Sequence, residues 1–222
     1  MLFAAPMTWR RRLKHFSVTF TRNTLITGIH TEKEARRGKG KIEVIVGPMF
    51  AGKTEELIRR VKRAEIAEQN VIAFKHIIDN RYSKENQVIT HNGVKYKCVL
   101  VEKSDEILDY INKSTDIVAI DEAQFFDDDI PKIIEALIDK RIRVICSGLD
   151  VDFKKEPFLN MAKIMAMADN VQKLTAICFK CKGEANLTQR LINGKPAKHS
   201  DPVIMVGGKE TYEARCRKCH EI

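Results

Sequence analysis

Eight residues constrain this chain more than any others: Gly47-Pro48-Met49-Phe50-Ala51-Gly52-Lys53-Thr54, a match to G-x-x-x-x-G-K-[ST]. The β-rich run Ile42–Val46 precedes them. Thr54–Gln69 follows, with Leu57, Ile58, Val61 and Ala64 on one face and charges on the other, the pattern of an amphipathic helix. A strand that ends in a glycine-rich turn and opens a helix forms a cradle for phosphate. Its backbone N–H groups converge on oxygens, and the helix N-terminus adds positive partial charge. Lys53 would neutralise β- and γ-phosphates, and the Thr54 hydroxyl would ligate Mg²⁺. A plain tight turn would need no Lys-Thr pair.

The rest of the chain supplies a sheet for that cradle. Val71–Phe74, Asp116–Ile120 and Arg141–Cys146 read as further strands, and Ile130–Asp139 as a helix with Pro131 near its start. Apolar strands alternating with helices predict the α/β class, a parallel sheet covered on both faces. We therefore expect a P-loop NTPase-like sheet over residues 41–176. Residues 177–222 are loop-rich, with Gly, Asn, Pro and Lys clustered around Asn193–Asp201, and read as a small unit stapled by metal.

The net charge of +9 resembles a nucleic-acid signal until it is located. Residues 1–40 carry +7 and the remainder only +2, so the body offers no basic face and no nucleic-acid partner is expected. Three explanations compete for the basic segment 1–40: a disordered tail, an organelle presequence, or an upstream start codon. A hydrophobic content of 44% is enough for a real core. No stretch approaches the roughly 20 apolar residues of a membrane helix, so a soluble chain without a membrane partner is expected.

Asp121-Glu122 ends the run Ile117–Ile120, at the edge where parallel sheets bind ligands. Asp121 would hold Mg²⁺, directly or through water. Glu122 is the candidate general base for an acceptor hydroxyl. Cys178-x-x-Cys181 and Cys216-x-x-Cys219, separated by 34 residues, have the spacing of a closed, structural Zn²⁺ site. His220 is an alternative to Cys219 as the fourth ligand. Cys98 and Cys146 stand in apolar runs and read as buried small hydrophobes. Leu149, Phe153 and Phe158 follow the fourth strand. Each alone reads as core, but together, on the crevice edge, they read as a wall for a planar base.

Taken together, these segments resemble the type II thymidine kinases. The matching stretches are residues 41–54, Asp79-Asn80-Arg81-Tyr82, Thr90-His91-Asn92-Gly93, Asp121-Glu122-Ala123-Gln124-Phe125-Phe126, Gly148-Leu149-Asp150 with Phe153 and Pro157-Phe158, Cys178…Cys181, and Val203–Cys219. They run in family order over residues 40–220. Many relatives carry Asp-Gly where this chain has Asn92-Gly93.

The resemblance implies roles. Gly47–Thr54 with Arg81, Asp121, Glu122, Ala123 and Gln124 would serve ATP, Mg²⁺ would sit at Thr54 and Asp121, and Glu122 would face the 5′-hydroxyl of thymidine. Asp79 would lie near the transferring phosphate on the substrate side. Met49, Phe125, Leu149, Phe153 and Phe158 would wall the thymine pocket. Thr188 and Tyr212 would belong to a zinc-tethered lasso, and the backbone of Val203, Ile204, Met205, Val206 and Gly207 would read the base edge. It also implies a cytoplasmic homotetramer restrained by dTTP. A closed, dry pocket under a zinc-stapled lid suits a small, nearly neutral nucleoside and keeps water from ATP.

Two rivals remain at this point. Asp-Glu-Ala-Gln after a phosphate loop also resembles a nucleic-acid motor, but about 180 ordered residues leave little room for a second ATPase lobe. A zinc-ribbon binding module ranks last, because such modules rarely carry an intact phosphate loop.

Overall fold

Alternation within β1 (Lys41–Val46) decides the layering: Ile42, Val44 and Val46 point to one face of the sheet, Glu43 and Ile45 to the other. The computed structural model describes residues 40–79, 87–89, 95–203 and 210–222. After β1 the chain forms α1 (Lys53–Ile66), β2 (Val71–His76), a short pair β3 (Gln87–Ile89) and β4 (Lys95–Lys97), then β5 (Val99–Val101) and β6 (Ile117–Asp121). It continues through α2 (Ile130–Asp139), β7 (Arg143–Gly148), α3 (Leu159–Met167) and β8 (Asn170–Lys173). The C-terminal part holds β9 (Ala176–Ile177), β10 (Glu184–Ala185), β11 (Leu187–Ile192), β12 (Lys195–Pro196) and β13 (Glu210–Arg215).

Six strands form one sheet in the order β5-β2-β6-β7-β1-β8, and every neighbouring pair is parallel. On one face α1 buries Leu57, Ile58, Val61 and Ala64 against Ile45, Ile117, Ala119 and Ile145. On the other, α2 and α3 bury Ile130, Ile134, Leu137, Met161 and Ile164 against Val44, Val118, Ile120 and Val144. Each such Val, Leu, Ile or Met side chain contributes about 1.5–3 kcal/mol on full burial, which fixes the register of the central strands. The expected α/β class is what forms. Cys98 and Cys146 are buried in these cores, and burial pushes their thiols up to about 11 and about 12. They are inert packing groups, as expected.

The helix ends differ from the sequence reading. α1 stops at Ile66 rather than Gln69 because Glu68 takes a left-handed φ of 58°. Gln69 N–H then reaches the Ala64 carbonyl and Glu68 N–H that of Glu65, the Schellman closure. Arg141 (φ 61°) closes α2 the same way, through Arg141 N–H to Ile138 and Ile142 N–H to Leu137. The fourth strand therefore starts at Arg143, not Arg141. No glycine marks either stop.

At the amino-terminal edge of the sheet, buried Glu43 accepts from Arg60 (2.9 Å), Arg143 (2.8 Å) and Lys41 (2.5 Å), beside an open cleft of about 680 Å³. Burial works to raise the Glu43 carboxyl, but the Arg143 and Lys41 contacts outweigh it and hold it at about 2. A depressed carboxylate stabilises the fold above its unfolded value, about 4.3, and that contribution is lost as pH falls toward 2. Glu43→Gln should cost roughly 2–3 kcal/mol at neutral pH. That is below the 3–5 of a fully enclosed pair, because the cleft admits water. The cost should shrink in denaturant melts repeated at pH 3.

Candidate active site

β1, β7 and β6 are adjacent, so their carboxyl ends bring three polar groups together. The phosphate loop leaves β1, and Thr54 sits on the first turn of α1. Its hydroxyl lies 3.5 Å from Asp121 Oδ2 at the end of β6. Between them, Ser147 on β7 donates to Asp121 Oδ1. Asp121 is buried, and Ser147 fully so. A hydroxyl and a carboxylate at this spacing could share one hard cation with phosphate oxygens. Sequence reasoning missed Ser147. The available signal was one hydroxyl in the otherwise apolar run Val144-Ile145-Cys146-Ser147.

The loop itself is tightly wound. Gly47 (φ 146°), Phe50 (φ 66°) and Gly52 (φ 79°) all carry positive φ. At Gly47 a Cβ would lie 2.4 Å from the Leu174 carbonyl oxygen, so only glycine fits there. Lys53 is buried, and its ammonium donates to the Pro48 carbonyl at 2.9 Å. The amine is thus held inside the loop's curve. Pro48 is buried, Met49 and Ala51 are half-buried, and Phe50 is exposed.

Glu122 follows Asp121 in the left-handed region (φ 51°, ψ 47°), an unfavourable place for a residue with a Cβ. That turn breaks β6 and leaves the carboxylate half-buried at the sheet edge. Buried Gln124 steadies it: its amide nitrogen donates to Glu122 Oε2, and its oxygen accepts from Leu149 N–H at 3.1 Å. Ala123 is fully buried in the core beneath. Gly148 makes room for this link, since a Cβ there would meet Gln124 Oε1 at 2.4 Å and Met161 Sδ at 3.0 Å. Gly148→Ala should displace Gln124 at a cost of about 1–2 kcal/mol. A denaturant melt reads that loss, and kcat should fall with it.

The loop from Leu149 to Phe158 is built rather than slack. Asp152 Oδ1 accepts from Lys154 N–H (2.8 Å) and Glu156 N–H (2.9 Å), and Val151 bridges Pro157. Phe153 is buried, with the Arg190 guanidinium 5.2 Å from its ring centre. Arg190 is itself fully buried on β11 and donates to the Pro202 carbonyl. Leu149 and Phe125 are half-buried. Phe158 packs partly against the α2–α3 core, so the bland reading holds for part of its surface. Thr188 on β11 is buried, and its hydroxyl accepts from Met49 N–H at 3.0 Å. Tyr212 on β13 is half-buried and pairs with Arg190 in register. Val203 is 37% exposed. Arg81 and Ile204, Met205, Val206 and Gly207 lie outside the described residues, as do segment 1–39, Asn92-Gly93 and the side chain of Asp79, which ends a short helical turn after β2.

The Sγ atoms of Cys178, Cys181, Cys216 and Cys219 all lie within 4.8 Å of one another, and those of Cys181 and Cys216 are 3.7 Å apart. Tetrahedral Zn–S bonds of about 2.3 Å require sulfurs about 3.8 Å apart, so the four thiols fit such an ion. The Cys181 N–H points at Cys178 and holds its thiol down at about 6, whereas the hydrogen bond with Cys216 pushes Cys219 up to about 12. Four crowded sulfurs cannot all ionise alone, and a dication removes that conflict. His220 is buried outside the cluster, and Cys219 completes it.

A family model described as thymidine kinase matches residues 40–220. The chain belongs to the thymidine kinase family. Solved structures show only loose likeness. The genome packaging NTPase B204 from Sulfolobus turreted icosahedral virus 2, in complex with ATP-gammaS, is 18% identical over 61% of this chain and 75% of that one, with a TM-score of 0.40. The flagellar accessory protein FlaH from Methanocaldococcus jannaschii is 14% identical over 70% and 81%, TM-score 0.43. Domain III of the replication initiation protein DnaA from Thermotoga maritima is 15% identical over 71% and 64%, TM-score 0.37. None of these likenesses bears on chemistry. Thymidine kinase family membership supports a nucleotide kinase, and the matched span contains the phosphate loop, Asp121-Glu122 and all four clustered cysteines. Among the described residues, no helix is long and apolar enough to cross a membrane.

Proposed function

We propose that this chain transfers the γ-phosphoryl group of ATP to the 5′-hydroxyl of thymidine, giving dTMP and ADP in pyrimidine deoxynucleoside salvage. One observation carries the reading beyond family membership: Thr54 Oγ1 and Asp121 Oδ2 are 3.5 Å apart, with Glu122 next along the chain. Phosphate chemistry and proton chemistry therefore meet at one sheet edge.

In this reading Gly47–Thr54 binds the ATP phosphates, and Lys53 swings from the Pro48 carbonyl toward them. Thr54 and Asp121 would hold Mg²⁺, which when bound with ATP neutralises charge on the phosphate oxygens. Ser147 orients the Asp121 carboxylate. Glu122 accepts the 5′-hydroxyl proton as the new O–P bond forms and the bond to the ADP oxygen breaks. Gln124 keeps the Glu122 carboxylate aimed and ties it to Leu149. Arg81, Ala123 and Asp79 complete the phosphate side. Met49, Phe125, Leu149, Phe153 and Phe158 wall the thymine, with Thr188, Tyr212 and the 203–207 backbone closing over it. The four cysteines would hold Zn²⁺ in a structural role.

We further propose a cytoplasmic homotetramer inhibited by dTTP. The kinase domain would span 41–176 and the lasso 177–222, with segment 1–40 outside the working protein. Screening ATP consumption across the four deoxynucleosides tests the substrate. Thymidine should give the largest rate. Stimulation by DNA or RNA and none by thymidine would favour a motor instead.

A further inference from the structure

The phosphate loop carries three positive-φ residues and does not hold its shape by internal bonds alone. Residues that follow β8 touch it at three points, the last two of them in the C-terminal part. Leu174, just after β8, donates its N–H to the Val46 carbonyl at 2.7 Å, and its own carbonyl fills the space a side chain would need at Gly47. Thr188 accepts the Met49 N–H at 3.0 Å, joining positions 139 residues apart. Ala51 packs against the small apolar cluster of Ala176, Cys178, Ala185 and Ala214, against which Cys216 and Cys219 also pack. Gly47, Met49 and Ala51 of the loop each meet residues that follow β8.

We propose that the cysteine-built C-terminal unit is a working part of the ATP site, with Thr188 as a positioning residue of the phosphate loop. Met49 N–H is committed to Thr188 rather than to a phosphate oxygen. Its bond sets the loop's curvature so that the remaining N–H groups converge. The same contact couples the two substrate sites, because Met49 and Thr188 both stand on the nucleoside side in the proposed function. The inference rests on the phosphate-binding part of that reading and not on the identity of the nucleoside.

The test is binding of Mg²⁺ with a non-hydrolysable ATP analogue, in the full-length protein without any nucleoside. Thr188→Val keeps the shape and removes the acceptor; Thr188→Ser restores the hydroxyl. The valine variant should bind the analogue roughly 3- to 10-fold more weakly, the effect of one lost neutral hydrogen bond, and the serine variant within about 2-fold of the parent. Amide exchange at Met49 should quicken in the valine variant alone, while α1 keeps its protection. A valine variant that binds the analogue as the parent does would overturn the proposal, and so would a serine variant as weak as valine. A parent protein that binds the analogue yet leaves thymidine untouched would sink the nucleoside reading and leave this inference to the Thr188 result. A parent that binds no analogue would remove both.

Discussion

Glu122→Gln is expected to lower kcat by roughly 10²–10⁴, the range for losing a general acid–base group. Glutamine matches the side chain in shape and can still meet Gln124 by hydrogen bonding, but it cannot take a proton. The left-handed turn at residue 122 depends on the backbone, so the variant should fold and melt as the parent does. Binding of ATP and thymidine should change little, because Lys53, Thr54, Asp121 and the pocket walls remain. A loose transition state would place proton loss late and the effect near the lower limit. Asp121→Asn should behave differently. It should weaken Mg²⁺ and recover partly at high metal, because Asp121, buried and held by Ser147, would be a ligand of the cation in the proposed function. A Glu122→Gln protein with near-normal kcat would move the proton acceptor elsewhere, and Asp79 would be the next residue to replace.

The second large effect belongs to the cysteines. Cys178→Ser or Cys216→Ser should abolish stoichiometric zinc and unfold the C-terminal unit. Structural zinc contributes on the order of 10–16 kcal/mol in isolated metal-binding peptides, whereas the apolar cluster here is four small side chains. Loss of the unit should raise KM for thymidine, because β11 and β13 carry Thr188 and Tyr212. It should also weaken ATP, since Ala51 packs on that cluster and Met49 bonds to Thr188. Metal analysis and the two KM values read this directly. Fully active protein without bound zinc would refute it.

The parts legible in the sequence were those whose chemistry sits in contiguous residues. The phosphate loop, Asp121-Glu122 and the C-x-x-C pairs each declare themselves within eight residues. The central strands did so through β-branched runs that are buried on both faces. Other features depend on partners far along the chain. The family resemblance puts Thr188 in the lasso, but its bond to the phosphate loop shows only when β11 is seen to reach Met49. The resemblance assigns Gln124 to the ATP side, but its link from Glu122 to Leu149 shows only when β7 brings Gly148 and Leu149 beside it. Edge strands β5 and β8 are three and four residues long, too short to show a period. Helix stops at Glu68 and Arg141 use left-handed turns without the glycine that normally signals them. For Thr188 and Gln124 a long-range contact decides the structure, whereas the two helix stops are local closures that lack the usual glycine.

Transfer of radiolabelled γ-phosphate from ATP to thymidine tests the central claim most directly. The parent protein should place the label on the 5′-oxygen, giving labelled dTMP with one ADP per turnover, and Glu122→Gln should do so at least a hundred-fold more slowly. Label appearing only as inorganic phosphate, unaffected by thymidine, would contradict the account.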